Sequence, residues 1–386
     1  MPPLHLTFAL MICCYTSISS ARVILSLFAL NLGASASAVG LLVATFYAFP
    51  LVLSWPVGML ADRLGSRGLL ACGTVCGAGG MAIPYFFQTL PALYVSGFAL
   101  GLSFTVYNVL LQNLVGLAST PQTRTRNFSN SSMFGAAALF LGPLAGGLAI
   151  DYLSAPVACL CSAALAVAAF VLLGIFGGAL PGGQGATDSA PRGRLRDLLN
   201  DRGMLRIFLS SALVQMGQDL LQVFVPIYGH AIGLSASVIG GILASFAAAY
   251  VVIRIFMARM IAVLGEERLL GYSFCVAAAS FALFPFFRSE TMLMLVAFAF
   301  GCGMGCGQPI TTMLLFSHSA EGRSGEIFGL RQTANNLVRV TTPSVFGYVA
   351  TLLGLFSVFA AGALLMAVGG ALTSARAKPP AAPPPG

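Results

Sequence analysis

About twelve times along this chain, an apolar stretch runs for roughly twenty residues or more. Coiled as a helix, a run of that length crosses the hydrocarbon core of a bilayer. The spans fall near 4–31, 38–60, 69–88, 91–117, 127–151, 156–178, 204–228, 238–264, 269–287, 291–317, 326–352 and 354–373. Turn signals separate them: Gly33 to Ser37, Gly65, Pro91, Pro121, Pro156, and Gly233 to Ser237. The first run has no basic leader and no small-residue cleavage site, so it reads as a first membrane helix and not as a removable signal peptide. Composition agrees. Only 8% of the 386 residues are charged and mean hydropathy is +0.92, against about 25% charged residues in a soluble domain. Lipid, not water, must wet most of such a surface.

The net charge of +8 has a membrane explanation and does not call for nucleic acid. With the N-terminus in the cytoplasm, the inward-facing turns and the tail hold Arg63, Arg67, Arg124, Arg126, Arg192, Arg194, Arg196, Arg202, Arg268, Arg323, Arg376 and Lys378. The outward turns hold Arg288 alone among the basic residues. Basic loops stay cytoplasmic. The expectation is a multi-pass protein of a bacterial inner (plasma) membrane with both termini inside.

The two halves are related. LGASASAVGLLVATF (32–46) reappears as IGLSASVIGGILASF (232–246), with Gly33, Ser35, Ala36, Ser37, Gly40, Ala44 and Phe46 repeated 200 residues on. The same offset carries Phe98, Ala99 and Gly101 onto Phe298, Ala299 and Gly301, and Phe128, Pro143 and Gly147 onto Phe328, Pro343 and Gly347. One unbroken offset through three spans marks an internal duplication of a six-helix unit. Six is even, so both copies insert with the same orientation, and the site is expected between them near mid-membrane. The expected organisation is a six-helix bundle over 1–178, a cytoplasmic central loop over 179–203, a second bundle over 204–373, and a Pro-rich disordered cytoplasmic tail over 374–386.

GMLADRLGSR, between the second and third spans, resembles motif A of the major facilitator superfamily through Gly58, Leu60, Asp62, Arg63, Gly65 and Arg67. GPLAGG in the fifth span resembles motif C of that superfamily's antiporters through Gly142, Pro143, Gly146 and Gly147. The resemblance implies an all-α membrane fold of twelve transmembrane helices in two pseudo-symmetric six-helix bundles. It also implies that Asp62 meets the N-terminal end of the eleventh span, a carboxylate against a positive helix end, so that motif A latches the halves on the cytoplasmic side. Arg63 and Arg67 would bind acidic groups or lipid phosphate. In the second copy Ala262 stands where Asp62 stood, so the latch is one-sided.

Ionisable groups inside a bilayer are expensive and mark function. Here they are Arg22, Asp219, Arg254, Arg331 and Arg339. By resemblance, the first, fourth, seventh and tenth spans line the cavity. Asn108 and Gln112 lie on the fourth and Gln308 on the tenth, while Gln215, Asp219 and Gln222 share one face of the seventh. The expected pathway residues are therefore Arg22, Asn108, Gln112, Gln215, Asp219, Gln222, Gln308 and Arg339, with Arg22 pairing Asp219. One Asp among several Arg leans toward an anionic or zwitterionic substrate. Two departures argue against a standard drug exporter: Gly97 stands where motif B carries its Arg, and the first span has Arg22 where many exporters have an acid.

The functional expectation is a secondary active transporter of a small organic solute working by alternating access, in the mode of proton-coupled efflux. The alternatives are an importer or exchanger of an anionic metabolite, or a non-transporting receptor on the same scaffold. No nucleotide-binding loop or hydrolytic constellation supports an enzyme. The expected partners are the solute, a proton as coupling ion and membrane lipid, with no nucleic acid, cofactor or metal, and the chain acting as a monomer. The nine cysteines all fall in apolar runs and read as packing residues. Cys302, Met304 and Cys306 form a minor candidate set for a soft metal ion.

Overall fold

The computed structural model describes residues 3–120, 122–180, 202–318 and 324–374. Among them the helices are α1 (Pro3–Asn31), α2 (Ala36–Leu64), α3 (Ser66–Phe86), α4 (Leu90–Leu117), α5 (Arg124–Tyr152), α6 (Ala155–Phe176), α7 (Arg202–Ala231), α8 (Ala236–Leu264), α9 (Glu266–Leu283), α10 (Glu290–Gly305), α11 (Gly307–His318), α12 (Ser324–Leu353) and α13 (Leu355–Ser374). No strand occurs among the described residues. Most of the expected central loop and tail lie outside them.

Ten spans among the described residues are long and apolar enough to cross a membrane. The helices α7 and α12, 30 residues each, fall short of that composition because polar side chains line one face of each. The span expected at 291–317 is two helices meeting at Cys306, between α10 and α11. Pro309 supplies the physical cause. It has no amide hydrogen to continue the helical ladder back to Gly305.

The duplication is visible in backbone detail. Gly33 and Gly233 turn with φ of 82° and 80°, and Gly65 and Gly265 with 81° and 78°. These values lie in the left-handed region that glycine adopts without a Cβ penalty, and they end the helix before each turn. Ser35 and Ser235 then cap α2 and α8, each Oγ accepting the amide three residues on at 3.3 Å.

In the first half α1 packs on α4, α5 and α6, and α3 on α4 and α6. In the second half α8 packs on α10, α9 on α10 and α13, and α7 on α11, α12 and α13. Between the halves the main seams are α5 against α8 and α2 against α12. These two seams are each other's copies under the 200-residue offset.

Candidate functional site

A serine cap satisfies one of the amides that a helix start leaves free. In α2 and α8 it takes the third, leaving the first two. In α8 these come from the other half of the protein. The Ala236 amide donates to Asp151 Oδ1 at 3.0 Å and the Ser237 amide to Asp151 Oδ2 at 2.7 Å. The copy of this contact is neutral: the Ser37 amide donates to Thr351 Oγ1 at 3.1 Å. Asp151 and Thr351 are 200 residues apart, as are Ser37 and Ser237. One end of the molecule is thus held by two clasps, one charged and one not.

Below the clasps the seams close to backbone contact. A Cβ on Gly40 would lie 2.1 Å from the Pro343 carbonyl oxygen, and one on Gly240 2.4 Å from that of Pro143. A Cβ on Gly147 would lie 2.2 Å from the Ala236 carbonyl oxygen, and one on Gly347 2.9 Å from that of Ala36. Each of these is a steric overlap. Gly142 and Gly146 face the other way, against Ser19 and Ser20 of α1. The GPLAGG stretch therefore lets α5 approach α1 on one side and α8 on the other, as small residues do between membrane helices. Gly97 has a similar use: a Cβ there would meet Thr45 Oγ1 at 2.1 Å, so α2 fills the space that a larger side chain would need.

At the opposite end, Gly65 makes the turn of motif A, and a Cβ on Gly58 would meet only Val109, at an ordinary 3.8 Å. Arg67 Nη2 donates to the Gly174 carbonyl at 3.4 Å, reaching the C-terminal turn of α6, where a cation meets the negative helix end. This contact stays within the first half. The side chains of Asp62 and Arg63, and those of the first turn of α12, lie outside the described residues, and so does the latch expected between them.

Inside the molecule a cavity of about 210 Å³ is lined from both halves, by Tyr15, Arg22, Tyr47 and Phe104 on one side and Gln215, Asp219, Gln222 and Arg339 on the other. Ser19, Arg22, Tyr47, Asp219 and Gln222 also bound a smaller hollow adjoining it. Arg22 and Asp219 share this cavity without a direct bond. Arg22 Nη1 donates to the Tyr47 hydroxyl at 2.7 Å, while Asp219 Oδ2 accepts from Gln215 Nε2 at 3.0 Å. The expected pair is replaced by a tyrosine-held arginine facing a glutamine-held carboxylate. On the fourth span, neither Asn108 nor Gln112 lines the cavity, though Gln112 sits against Tyr15, which does.

From Asp219 a chain of polar contacts crosses three helices. Gln308 Nε2 donates to Gln215 Oε1 at 3.1 Å. Arg331, 5% exposed, donates to Gln308 Oε1, to Thr312 Oγ1 and, at 2.7 Å, to Ser211 Oγ. Ser211 Oγ donates in turn to Asn335 Oδ1 at 3.2 Å. Arg331 is thus an organising residue of the interior. Arg331, Asn335 and Arg339 follow one another at intervals of four residues, which places all three on one face of α12. Arg254 stacks over the Tyr250 ring at 5.6 Å. No cluster of three metal-ligating His, Cys, Asp or Glu occurs among the described residues, and the Met304 sulfur packs against Gly217 of α7.

Helices of membrane-crossing length, two repeated halves and a polar cavity shared between them define a multi-pass membrane protein built around a central, two-sided site. The chain belongs to the Major Facilitator Superfamily, whose sequence profile matches residues 7–211 and 207–386. It is 28% identical over 123 residues to uncharacterized MFS-type transporters of Mycobacterium tuberculosis strains CDC 1551 / Oshkosh and H37Rv. That match takes in 31% of this chain and spans 29% of the length of each relative. Its fold is similar to that of the nucleoside transporter NupG, with a TM-score of 0.79 and 14% identity over 97% of this chain and 99% of that one. It is also similar to the peptide transporter POT in complex with sulfate, with a TM-score of 0.81 and 15% identity over 97% and 94% of the two chains. At such identities the likeness is one of fold.

The charged clasp gives a first testable consequence. Asp151→Ala removes two charge-assisted bonds, but the site is solvent-exposed, so the loss is about 1 kcal/mol, a roughly fivefold shift toward the state open at this end. A cross-link between cysteines placed at Ser37 and Thr351, in a chain whose native cysteines are replaced, reads that shift as a lower yield. A yield unchanged by the substitution removes Asp151 from the closing mechanism.

Proposed function

We propose that this protein is a secondary transporter that moves a small organic solute across the inner membrane by alternating access, exporting it in exchange for protons. The observation that carries the reading is the matched closure at one end, made by copies of the same residues, over a polar cavity to which both halves contribute. Two related seams that close together can also open together, which is what a rocking exchange between bundles requires. The positive-inside distribution of Arg and Lys supports an orientation with the clasped end outside and both termini in the cytoplasm. Motif A would latch the opposite end when the clasps part. The antiport direction draws support from the GPLAGG stretch at the α5–α8 seam. Proton coupling draws support from Asp219, a carboxylate 3% exposed at the cavity wall.

The test is counterflow in proteoliposomes preloaded with candidate organic acids, sugars and amines, one at a time. A transporter exchanges external labelled solute for internal unlabelled solute with no applied gradient. A receptor on the same scaffold binds solute and accumulates none. If exchange occurs, lumenal pH recorded during net efflux decides the coupling: acidification that tracks the solute supports proton antiport, whereas alkalinisation, which marks symport, or an unmoving lumenal pH rejects it.

A further inference from the structure

We propose that the central cavity is a binding site for a small organic anion, whose carboxylate or phosphate-ester oxygens are received by Arg339 and Arg22 from the two sides of Tyr47. The inference rests on the transporter reading for its biological meaning, but not for its chemistry.

Tyr47 bridges the two guanidinium groups across the cavity. Its hydroxyl accepts from Arg22 Nη1 at 2.7 Å, and its ring lies under Arg339, whose Cζ is 5.4 Å from the ring centroid. Arg22 comes from α1 in the first half and Arg339 from α12 in the second, so an anion between them would touch both bodies that move. Arg339 is incompletely served by the protein: its Nε and Nη1 are buried and have no hydrogen-bond partner. A buried cationic donor left without an acceptor is costly, and a guanidinium is suited to planar, two-oxygen acceptors. The carboxylate within reach does not fill the role. Asp219 accepts from Gln215 and makes no ion pair with either arginine, so the cavity carries two cations against one anion. The deficit is one negative charge, and an incoming oxyanion supplies it.

Size narrows the class. A cavity of about 210 Å³ is smaller than the roughly 300–1,000 Å³ of sites that enclose drug-sized molecules. The occupant is of metabolite size. Gln222 and Tyr15, on the same walls, can bond hydroxyl or carbonyl groups on the remainder of such a molecule. The asymmetry of the duplication fits this. The copy of Arg339 is Leu139 and the copy of Arg22 is Gln222, so each half brings one cation to the cavity and neither brings two.

The test uses the purified full-length protein in nanodiscs and thermal unfolding as the readout. The probes are succinate, citrate, pyruvate and methyl phosphate, each beside an uncharged analogue of matched size, with inorganic phosphate and a primary amine as further arms. At least one organic anion is expected to raise the unfolding temperature, with binding at least tenfold weaker in Arg339→Gln and in Arg22→Gln. Arg288→Gln, in the exposed turn between α9 and α10, should leave the response unchanged, and Arg339→Lys should restore part of it. In the wild-type protein, phenylglyoxal labelling of Arg339 should be blocked by the same anion, which needs no variant to fold. Carboxylates and methyl phosphate separate the two head groups. The proposal is overturned by stabilisation from inorganic phosphate, neutral analogues or the amine alone, by an anion effect that survives both arginine substitutions, or by no response to any anion. Anion binding without counterflow would keep this site and reject the transporter reading; counterflow of a neutral or cationic solute would do the reverse.

Discussion

Gly40→Ala is expected to reduce transport at least tenfold while leaving the protein folded and inserted. The added Cβ would lie 2.1 Å from the Pro343 carbonyl oxygen, and neither atom can rotate away, because one is fixed to a helix backbone and the other belongs to one. The α2–α12 seam must then widen. Overpacking of this kind costs about 1–3 kcal/mol, and all of it falls on the state in which this end is shut, a shift of roughly 5–150-fold in the balance of states. Gly240→Ala, whose Cβ would lie 2.4 Å from the Pro143 carbonyl oxygen, should have the same effect through the copied seam. Gly79→Ala is the control, since a Cβ there meets nothing within 4 Å, and a glycine removed from a helix interior stabilises by about 1 kcal/mol. Cysteines introduced at Ser37 and Thr351, across the same seam, should cross-link readily in a chain whose native cysteines are replaced and poorly when Gly40→Ala is added. Full cross-linking together with full transport in that variant would show that this end need not close as tightly as its geometry implies. The clasp variant Asp151→Ala should act in the same direction and more weakly, because exposed hydrogen bonds give way more cheaply than a backbone overlap.

Much of the architecture could be read in advance because membrane helices are written in length and apolarity, and this chain writes most of them twice. Gly33 and Gly233 mark the same turn in the sequence, and they adopt the same left-handed conformation. The polar face of α7 was equally open to inspection, since Gln215, Asp219 and Gln222 follow helical spacing, and all three line the cavity.

What could not be read depended on which element lay opposite. Asp151 near the end of an apolar span looks like any charge at a membrane surface. Its importance appears only when α5 and α8 meet and its carboxylate finds two helix-start amides. A signal existed in the shared offset of Asp151 with Thr351 and of Ser37 with Ser237, but it has meaning only for someone who knows that these ends touch. Charge, and the equivalence of Arg22 with Gln222 one turn from Asp219, point to a pair between Arg22 and Asp219. Tyr47, an aromatic on α2 with nothing to mark it, intervenes and takes the arginine. Arg331 could be taken for a residue reaching toward the membrane surface, yet three neutral side chains turn it inward. The break at Cys306 was foreshadowed by Pro309, but a span judged by its hydropathy alone runs straight through it.

Asp219→Asn is expected to abolish proton-driven accumulation while sparing counterflow. The substitution keeps the shape of the side chain and one oxygen that can still accept from Gln215 Nε2, as Asp219 Oδ2 does at 3.0 Å. It removes the charge and the ability to take up a proton. In the charged form the bond from Gln215 is charge-assisted and about twice as strong as its neutral counterpart. Gln215 is in turn tied through Gln308 to Arg331 on α12, so a change of charge at one carboxylate is felt by the helix that carries Arg339 and forms the seam with α2. A proton arriving at Asp219 would loosen that chain, and Asn holds it permanently in the loosened form. Exchange of solute for solute needs only the rocking of the two halves and should persist within a few-fold of wild type. Net transport against a gradient, driven by an imposed pH difference, should fall more than tenfold and lose its dependence on pH. Asp219→Glu, which keeps the titratable group and shifts it by one methylene, should recover part of the coupled activity. If Asp219→Asn still pumps with the wild-type pH profile, the proton travels by another route, and Asp219 serves only to hold Gln215 and Gln308 in place.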